Sequence, residues 1–368
     1  YLWIAEDGMK MQGYNGSQLW DTAFATQAIL EGGFEKYFPD TVERAFSFID
    51  NSQVREEVRD HKKFFRHDSV GGWPFSTADH GWPITDCSAE GLKTVLKVED
   101  CGLNLKLLDK DKRLKQSADL LLSMQNKGGG WASYELTRAP GWVELLNPSE
   151  IFGNIMIDYS YTECTSACVQ ALAEFRKHYP DYKKQEIETS ISRGIQFILS
   201  QQREDGSWYG SWAVCFTYGT WFAVEALTNA ETGIRNAEVN AALDKATAFL
   251  LSKQNADGGW GESFESCIEK RYIPAVTSQV VNTSWAVLSL MAMKTMDDRR
   301  LTTVNTVIQK GLEFIISKQQ PSGDWEQESI SGVFNHNCMI SYTSYRNVFP
   351  IWALVRYLKN GCPKSAVF

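Results

Sequence analysis

The stretch Leu121-Leu122-Ser123-Met124-Gln125-Asn126-Lys127-Gly128-Gly129-Gly130-Trp131 decides the fold, because its frame returns three times. An apolar pair leads through Ser to a Gln that opens Q-x-x-x-G-x-W: Gln125/Gly129/Trp131, Gln202/Gly206/Trp208, Gln254/Gly258/Trp260 and Gln319/Gly323/Trp325. A frame that recurs in this way marks repeated supersecondary units. Each residue type has a task at a helix end. Gly takes the left-handed conformation that stops a helix without a Cβ penalty. Trp, two residues on, can fold back over the finished helix, and Gln can tie the last carbonyls of one helix to the start of a neighbour. An apolar-periodic helix follows, as over 164–175, 220–227 and 282–293; in the first, Cys164, Cys168, Leu172 and Phe175 share a face. The unit is therefore a helix pair. Stacked pairs that close on themselves give an all-α fold, an α/α barrel with one set of helices inside and one outside.

Composition bounds what such a barrel does. A chain of 368 residues in one repeat series reads as a single large domain, able to bury roughly 75% of its unfolded surface. Its 13 Trp, 14 Tyr and 19 Phe exceed what packing that core requires. A net charge of −8 with no basic stripe argues against nucleic acid. The eight Cys form no C-x-x-C pair and several sit on apolar helix faces, which reads as reduced, cytosol-facing thiols. No run of about 18 apolar residues offers a membrane span, no signal peptide is seen, and no His/Cys/Asp cluster has metal-ligand spacing. The opening on Tyr1, directly in structure, reads as a fragment lacking an N-terminal part.

Ahead of the repeats we expect helices at 20–31 and 40–51, a charged connector at 52–70, a Gly-, Trp-, Phe- and Pro-rich loop at 71–85, and a helix at 88–97. That loop runs into Ile84-Thr85-Asp86-Cys87-Ser88-Ala89-Glu90. On helix signals alone, Asp86 is an N-cap that accepts the first amides, with Glu90 in the first turn. The setting supports a second reading. Trp73, Phe75 and Trp82 precede it, and burial among rings raises a carboxyl pKa. A neutral, desolvated Asp is a strong general acid. Thiols at Cys87 and Cys164 are weak donors that would not neutralise it.

These residues resemble the oxidosqualene cyclases. Asp86-Cys87-Ser88-Ala89-Glu90 is similar to that family's D-C-T-A-E acid motif, with Ser for Thr, and the four turns resemble its QW repeats. The stretches 1–23, 72–91, 163–167, 205–221, 332–335 and 338–340 also read like family sequence. The resemblance covers essentially the whole chain and matches the C-terminal, catalytic part of a larger two-domain cyclase. It implies cyclisation of (3S)-2,3-oxidosqualene to a sterol or triterpene skeleton, with no cofactor and no metal. By the same resemblance Asp86 protonates the epoxide, and Cys87 and Cys164 hydrogen-bond to it. Trp20, Phe75, Trp212 and Phe334 line the cavity, Tyr134 stands near the final deprotonation, and Ile155 belongs to the substrate entrance. Aromatic faces suit that chemistry. Each stabilises a carbocation by about 2 kcal/mol when desolvated, without attacking it.

Three positions bear on the product. Tyr14, His80 and Ile84 resemble the Tyr/His/Ile set of members that make cycloartenol; lanosterol-forming members carry Thr, a non-His residue and Val. Ile holds the folded cation more tightly than Val and favours proton loss from C19. Tyr14 and His80 form a polar pair that positions or accepts that proton. Parkeol, lanosterol and cucurbitadienol stay open as products, and His80 as a plain loop cap. The family is monotopic, which implies a membrane-surface partner at the cytosolic face of the endoplasmic reticulum or a lipid droplet. The segment 141–161, with Trp142, Leu145, Leu146, Ile151, Phe152, Ile155, Met156 and Ile157, either lies in one leaflet or forms a buried helix pair. Three rivals remain. A squalene-hopene-type cyclase needs D-x-D-D where this chain has one Asp; a zinc prenyltransferase β-subunit needs a D-x-C that Asp86-Cys87 lacks; an α/α toroid that only binds lipid needs neither.

Overall fold

The computed structural model describes residues 2–5, 8–11, 16–103, 105, 107–149, 153–229, 237–293, 301–334 and 338–359. In chain order its helices are α1 (Gln18–Glu31), α2 (Pro39–Ser52), α3 (Thr85–Asp100), α4 (Lys110–Ser123), α5 (Thr162–His178), α6 (Lys184–Ser200), α7 (Phe216–Asn229), α8 (Ala237–Lys253), the short α9 (Glu265–Glu269), α10 (Val280–Met293), α11 (Leu301–Ser317) and α12 (Tyr345–Lys359). Helices α1, α3, α5, α7, α10 and α12 each pack on the next, and α12 returns to α1, so they close an inner ring. Helices α2, α4, α6, α8 and α11 pack around it. The fold is the expected α/α barrel.

Burial follows from that placement. The inner α7 and α10 are buried along almost their whole length, as a helix covered on every side must be. The outer α6 buries one stripe, Ile187, Ser190, Ile191, Gly194, Ile195 and Ile198, and leaves its other face to solvent. Three short antiparallel hairpins decorate the loops: β1 (Leu2–Ala5) with β2 (Gly8–Met11), β3 (Trp260–Glu262) with β4 (Pro274–Gln279), and β5 (Gly332–Phe334) with β6 (Cys338–Ile340). Among the described residues no helix is long and apolar enough to cross a membrane.

The four turns are built alike. The glycines stand at φ +89, +91, +88 and +88. Each Trp is buried and donates its indole N–H back into the preceding helix, to Leu121, Ile198, Leu250 and Ile315 carbonyls at 2.7–2.9 Å. Each Gln donates to its own Gly carbonyl, and the first three also reach the outer helix of the next pair, at Ser190, Ala242 and Val307. The Gln is thus the stitch between successive pairs. A Cβ at Gly129 would stand 2.4 Å from the Arg193 carbonyl, whereas one at Gly323 would meet nothing within 4 Å.

A fifth turn escaped the sequence frame. Trp73 donates its indole N–H to Ile49, Gly71 stands at φ +97, and Gln53 donates to Gly71 and to Ser117 of α4. The Trp and its acceptor lie ten residues apart in four copies and twenty-four here. The expected charged connector is an excursion inserted between the Gln and the Gly.

Candidate active site

The fifth turn sets the start of α3. Ile84 donates its amide to Trp73 O (3.0 Å), and Ser88 Oγ accepts the Trp73 amide (2.9 Å). From the other side Thr85 donates its amide to Ser133 O (2.8 Å) and its hydroxyl to Ala132 O (2.5 Å), just beyond Trp131. With both sides fixed, the helix begins at Thr85 rather than at Ser88. This corrects the N-cap reading of Asp86. Ile84 occupies that position, and Asp86 lies inside the first turn, where among backbone amides of the described residues it accepts the adjacent Cys87 N–H (2.8 Å).

Asp86 is 5% exposed. Burial pushes its carboxyl up to about 6, helped by the charge of Glu90, while the Cys87 amide and the Cys87 and Cys164 thiols pull the other way. Burial and the Asp86 charge in turn push both thiols well above their usual range, so they stay S–H donors. The neighbouring carboxyls of this rim have other duties. Glu262 accepts the Cys215, Phe216 and Thr217 amides and the Thr217 hydroxyl at the start of α7. Asp158 accepts the Ser133, Tyr134 and Glu135 amides (3.1, 2.6 and 3.0 Å). Asp86 has one amide and two weak donors.

The ring residues fall into two groups. Trp20, on α1, lies 6.4 Å from Phe75 and donates its indole N–H to the Tyr345 hydroxyl (2.7 Å). Trp212 stacks on Phe334 (5.0 Å) and packs on Tyr161 (4.7 Å), and its amide donates to Glu163, next to Cys164. Tyr134 packs its ring on Trp82 (4.8 Å). Ile84 is buried two residues before Asp86. His80 is half-buried; its Nδ1 is buried with no partner among the described residues, and burial lowers its pKa. Tyr14 lies outside the described residues. Ile155 is not brought to the acid: it sits 41% exposed on an outer loop, its amide held by Glu144.

Three groups beside the acid were not singled out from sequence. Glu163 is fully buried, with one oxygen taking the Ser211 and Trp212 amides and the other bare among the described residues; burial pushes it up to about 7. Tyr342 and Tyr345 stack at 4.5 Å, and the Asp86 charge adds to the burial that raises both hydroxyls. The pair at i, i+3 opening the last helix was the available signal.

A cavity of about 770 Å³ opens at the opposite, C-terminal end of the ring, lined by charged side chains such as Glu31, Glu90, Lys93, Lys97, Glu225 and Arg356. Contrary to the sequence reading, two groups have a geometry that could hold a metal, Glu57/His61/Asp68 and Asp100/Glu174/His178. The first lies within twelve residues of sequence, the second joins Asp100 to the i, i+4 pair Glu174 and His178, and neither includes Asp86. In the first, the two ring nitrogens of His61 face Val58 O (3.0 Å) and Asp68 (2.8 Å), which makes it a cross-link within the excursion.

This closed ring of helix pairs, with a buried acid at the head of an inner helix, has its counterpart in a known family. Residues 16–359 match the squalene-hopene cyclase C-terminal domain, and the chain belongs to that family. It is 54% identical over 97% of its length to a cycloartenol synthase of Dictyostelium discoideum and 50% identical over 97% to a lanosterol synthase of Mus musculus. The resemblance to oxidosqualene cyclases is thus borne out. The chain spans about half the length of these relatives, 49% and 48%. Among solved structures, the type II terpene cyclase MstE from Scytonema superposes with a TM-score of 0.61 at 15% identity, over 98% of this chain and 91% of that one. The ent-copalyl diphosphate synthase from Streptomyces platensis also gives 0.61, at 16% identity, over 92% and 50%. Both share the fold.

Proposed function

We propose that the chain is the catalytic C-terminal part of a 2,3-oxidosqualene cyclase. The observation that carries this is the Asp86 carboxyl, buried, with its pKa raised to about 6 and attended by two thiols at the head of an inner helix. Its proton passes to the epoxide oxygen, the C–O bond breaks toward oxygen, and the nearest alkene closes the first ring with its π electrons. The positive charge moves along the folded chain until a C–H proton is lost, so the reaction is an isomerisation without change of oxidation state. A carboxylate with three amides would hold its proton too weakly for this; Asp86 has one. Trp20, Phe75, Trp212 and Phe334 offer π faces to the cation in place of a nucleophile. The single Asp favours an epoxide over a bare alkene, which needs a stronger acid.

Cycloartenol is the product we assign, supported by the buried Ile84 two residues ahead of the acid and by His80, whose buried Nδ1 has no partner among the described residues and whose pKa burial lowers. Substrate arrives from a lipid surface, at the endoplasmic reticulum or a lipid droplet. The segment 141–161 supports this. Its described residues form no buried helix pair but a short 3-10 helix, Gly141–Leu146, and loop, with Trp142, Leu145 and Leu146 62%, 86% and 64% exposed, while Ile151 and Phe152 lie outside the described residues. The test is to supply 2,3-oxidosqualene to the full chain and identify products by mass spectrometry. Cycloartenol is expected; the absence of any cyclised product would favour a lipid-binding toroid.

A further inference from the structure

The excursion that splits the fifth turn is a built loop. Its neck is a pair of backbone bonds, Val54 N to Gly72 O and Gly71 N to Val54 O, both 2.9 Å. Inside it Glu57 accepts the Val58 and Ser69 amides (3.2 and 2.9 Å), and His61 bridges Val58 and Asp68. Asp60 and Phe65 stand at φ 57 and 59, a left-handed conformation that a bulky side chain adopts only under constraint. Long loops with joined ends and internal bonds often carry function.

What this loop delivers is Arg66. Its guanidinium lies 3.4 Å from the centroid of the Trp82 ring. Nε donates to Glu135 Oε1 (3.2 Å), and the next amide, of His67, donates to the same oxygen (3.2 Å). Trp82 packs in turn on Tyr134. Tyr134 follows Ser133, whose carbonyl accepts the Thr85 amide and whose hydroxyl lies 3.9 Å from the Cys164 sulfur. The stack Arg66–Trp82–Tyr134 therefore runs from the surface loop to the shell of the acid.

We propose that Arg66 is a positioning residue of the site: stacked on Trp82 and clamped by Glu135, it sets the tilt of the Trp82 and Tyr134 rings and thereby which proton the final cation loses. The inference rests on the cyclase reading above. Arginine suits the place because its planar group can stack on indole and pair with a carboxylate at once, which a lysine ammonium cannot. A small shift of these rings leaves protonation by Asp86 intact and changes the outcome of the cascade.

The test uses the full chain with 2,3-oxidosqualene and the variants Arg66→Ala and Arg66→Lys, reading product ratio, kcat and KM. Losing a cation–π contact of this kind should raise the share of minor cyclised products about threefold in Arg66→Ala, with kcat lowered less than the ratio is moved. Arg66→Lys should give a smaller shift in the same direction, and it decides the matter if the alanine variant does not fold. An unchanged product ratio in the folded variants, with only thermal stability lowered, would make Arg66 a structural residue and overturn the inference. A parent chain that forms no cyclised product would instead overturn the cyclase reading.

Discussion

Asp86 and Glu90 sit one turn apart on α3, 5% and 0% exposed, and face opposite ends of the barrel. Toward the C-terminal mouth, Glu90 accepts from Gln27 (2.6 Å) and pairs with Lys93 (2.8 Å), which also reaches Gln170. The same mouth holds Arg356 between Glu31 and Glu225. Toward the N-terminal rim, Asp86 has, among the described residues, no cation, one amide and two thiols. Two carboxyls in equally dry places are thus given opposite electrostatic company. Burial alone does not make an acid; burial without a compensating charge or a full set of amides does.

Several changes would break or sharpen that contrast. Asp86→Asn keeps the shape and removes the proton, so turnover should fall by on the order of 10⁴, the upper range for general acid catalysis; product formation by the folded variant measures it, and retained turnover would remove Asp86 from its role. At the other end, Lys93→Met strands Glu90 without its cation and should cost about 3–5 kcal/mol of stability, read by denaturant unfolding, while leaving product identity alone. The frame that keeps the two ends apart is probed by Gly129→Ala, expected to cost about 3 kcal/mol from left-handed backbone and a carbonyl clash together. Gly323→Ala, with empty space around it, should cost only about 1 kcal/mol. Equal costs would contradict the stitching of successive pairs. The smallest effect is expected from Ile84→Val. A methylene removed beside the acid, worth about 1 kcal/mol, should move part of the product toward lanosterol or parkeol in a mass-spectrometric profile.

The barrel was legible because its four turns carry their signal within eleven residues each. The fifth was hidden by the excursion, which parts Gln53 from Gly71 while their contact survives in space. Asp86 could be picked out from its motif, but its exact place could not. Whether it caps α3 or lies in the first turn depends on the Trp73 and Ser133 backbone reaching in from both sides. Glu163 and the Tyr342–Tyr345 pair gain their meaning only when the ring closes α12 onto α1 and brings the 211–212 amides over α5. At 141–161 the sequence left two readings open, a segment lying in one leaflet or a buried helix pair; the difference lies in Glu144, which takes the Ile155 and Met156 amides while Trp142, Leu145 and Leu146 stay exposed.

The Asp86 carboxyl is held above its ordinary pKa, and linkage makes that a stability measurement. A folded-state value of about 6 against 3.8 unfolded means Asp86 contributes most below pH 4 and loses that contribution as pH rises through 6. The unfolding free energy of the parent and of Asp86→Asn should be compared from pH 4 to pH 8. The inactive Asn variant is predicted to be the more stable at pH 8, by about 3 kcal/mol relative to the difference at pH 4. A parent that gains on the variant as pH rises would show Asp86 to be an ordinary, charge-stabilised carboxylate.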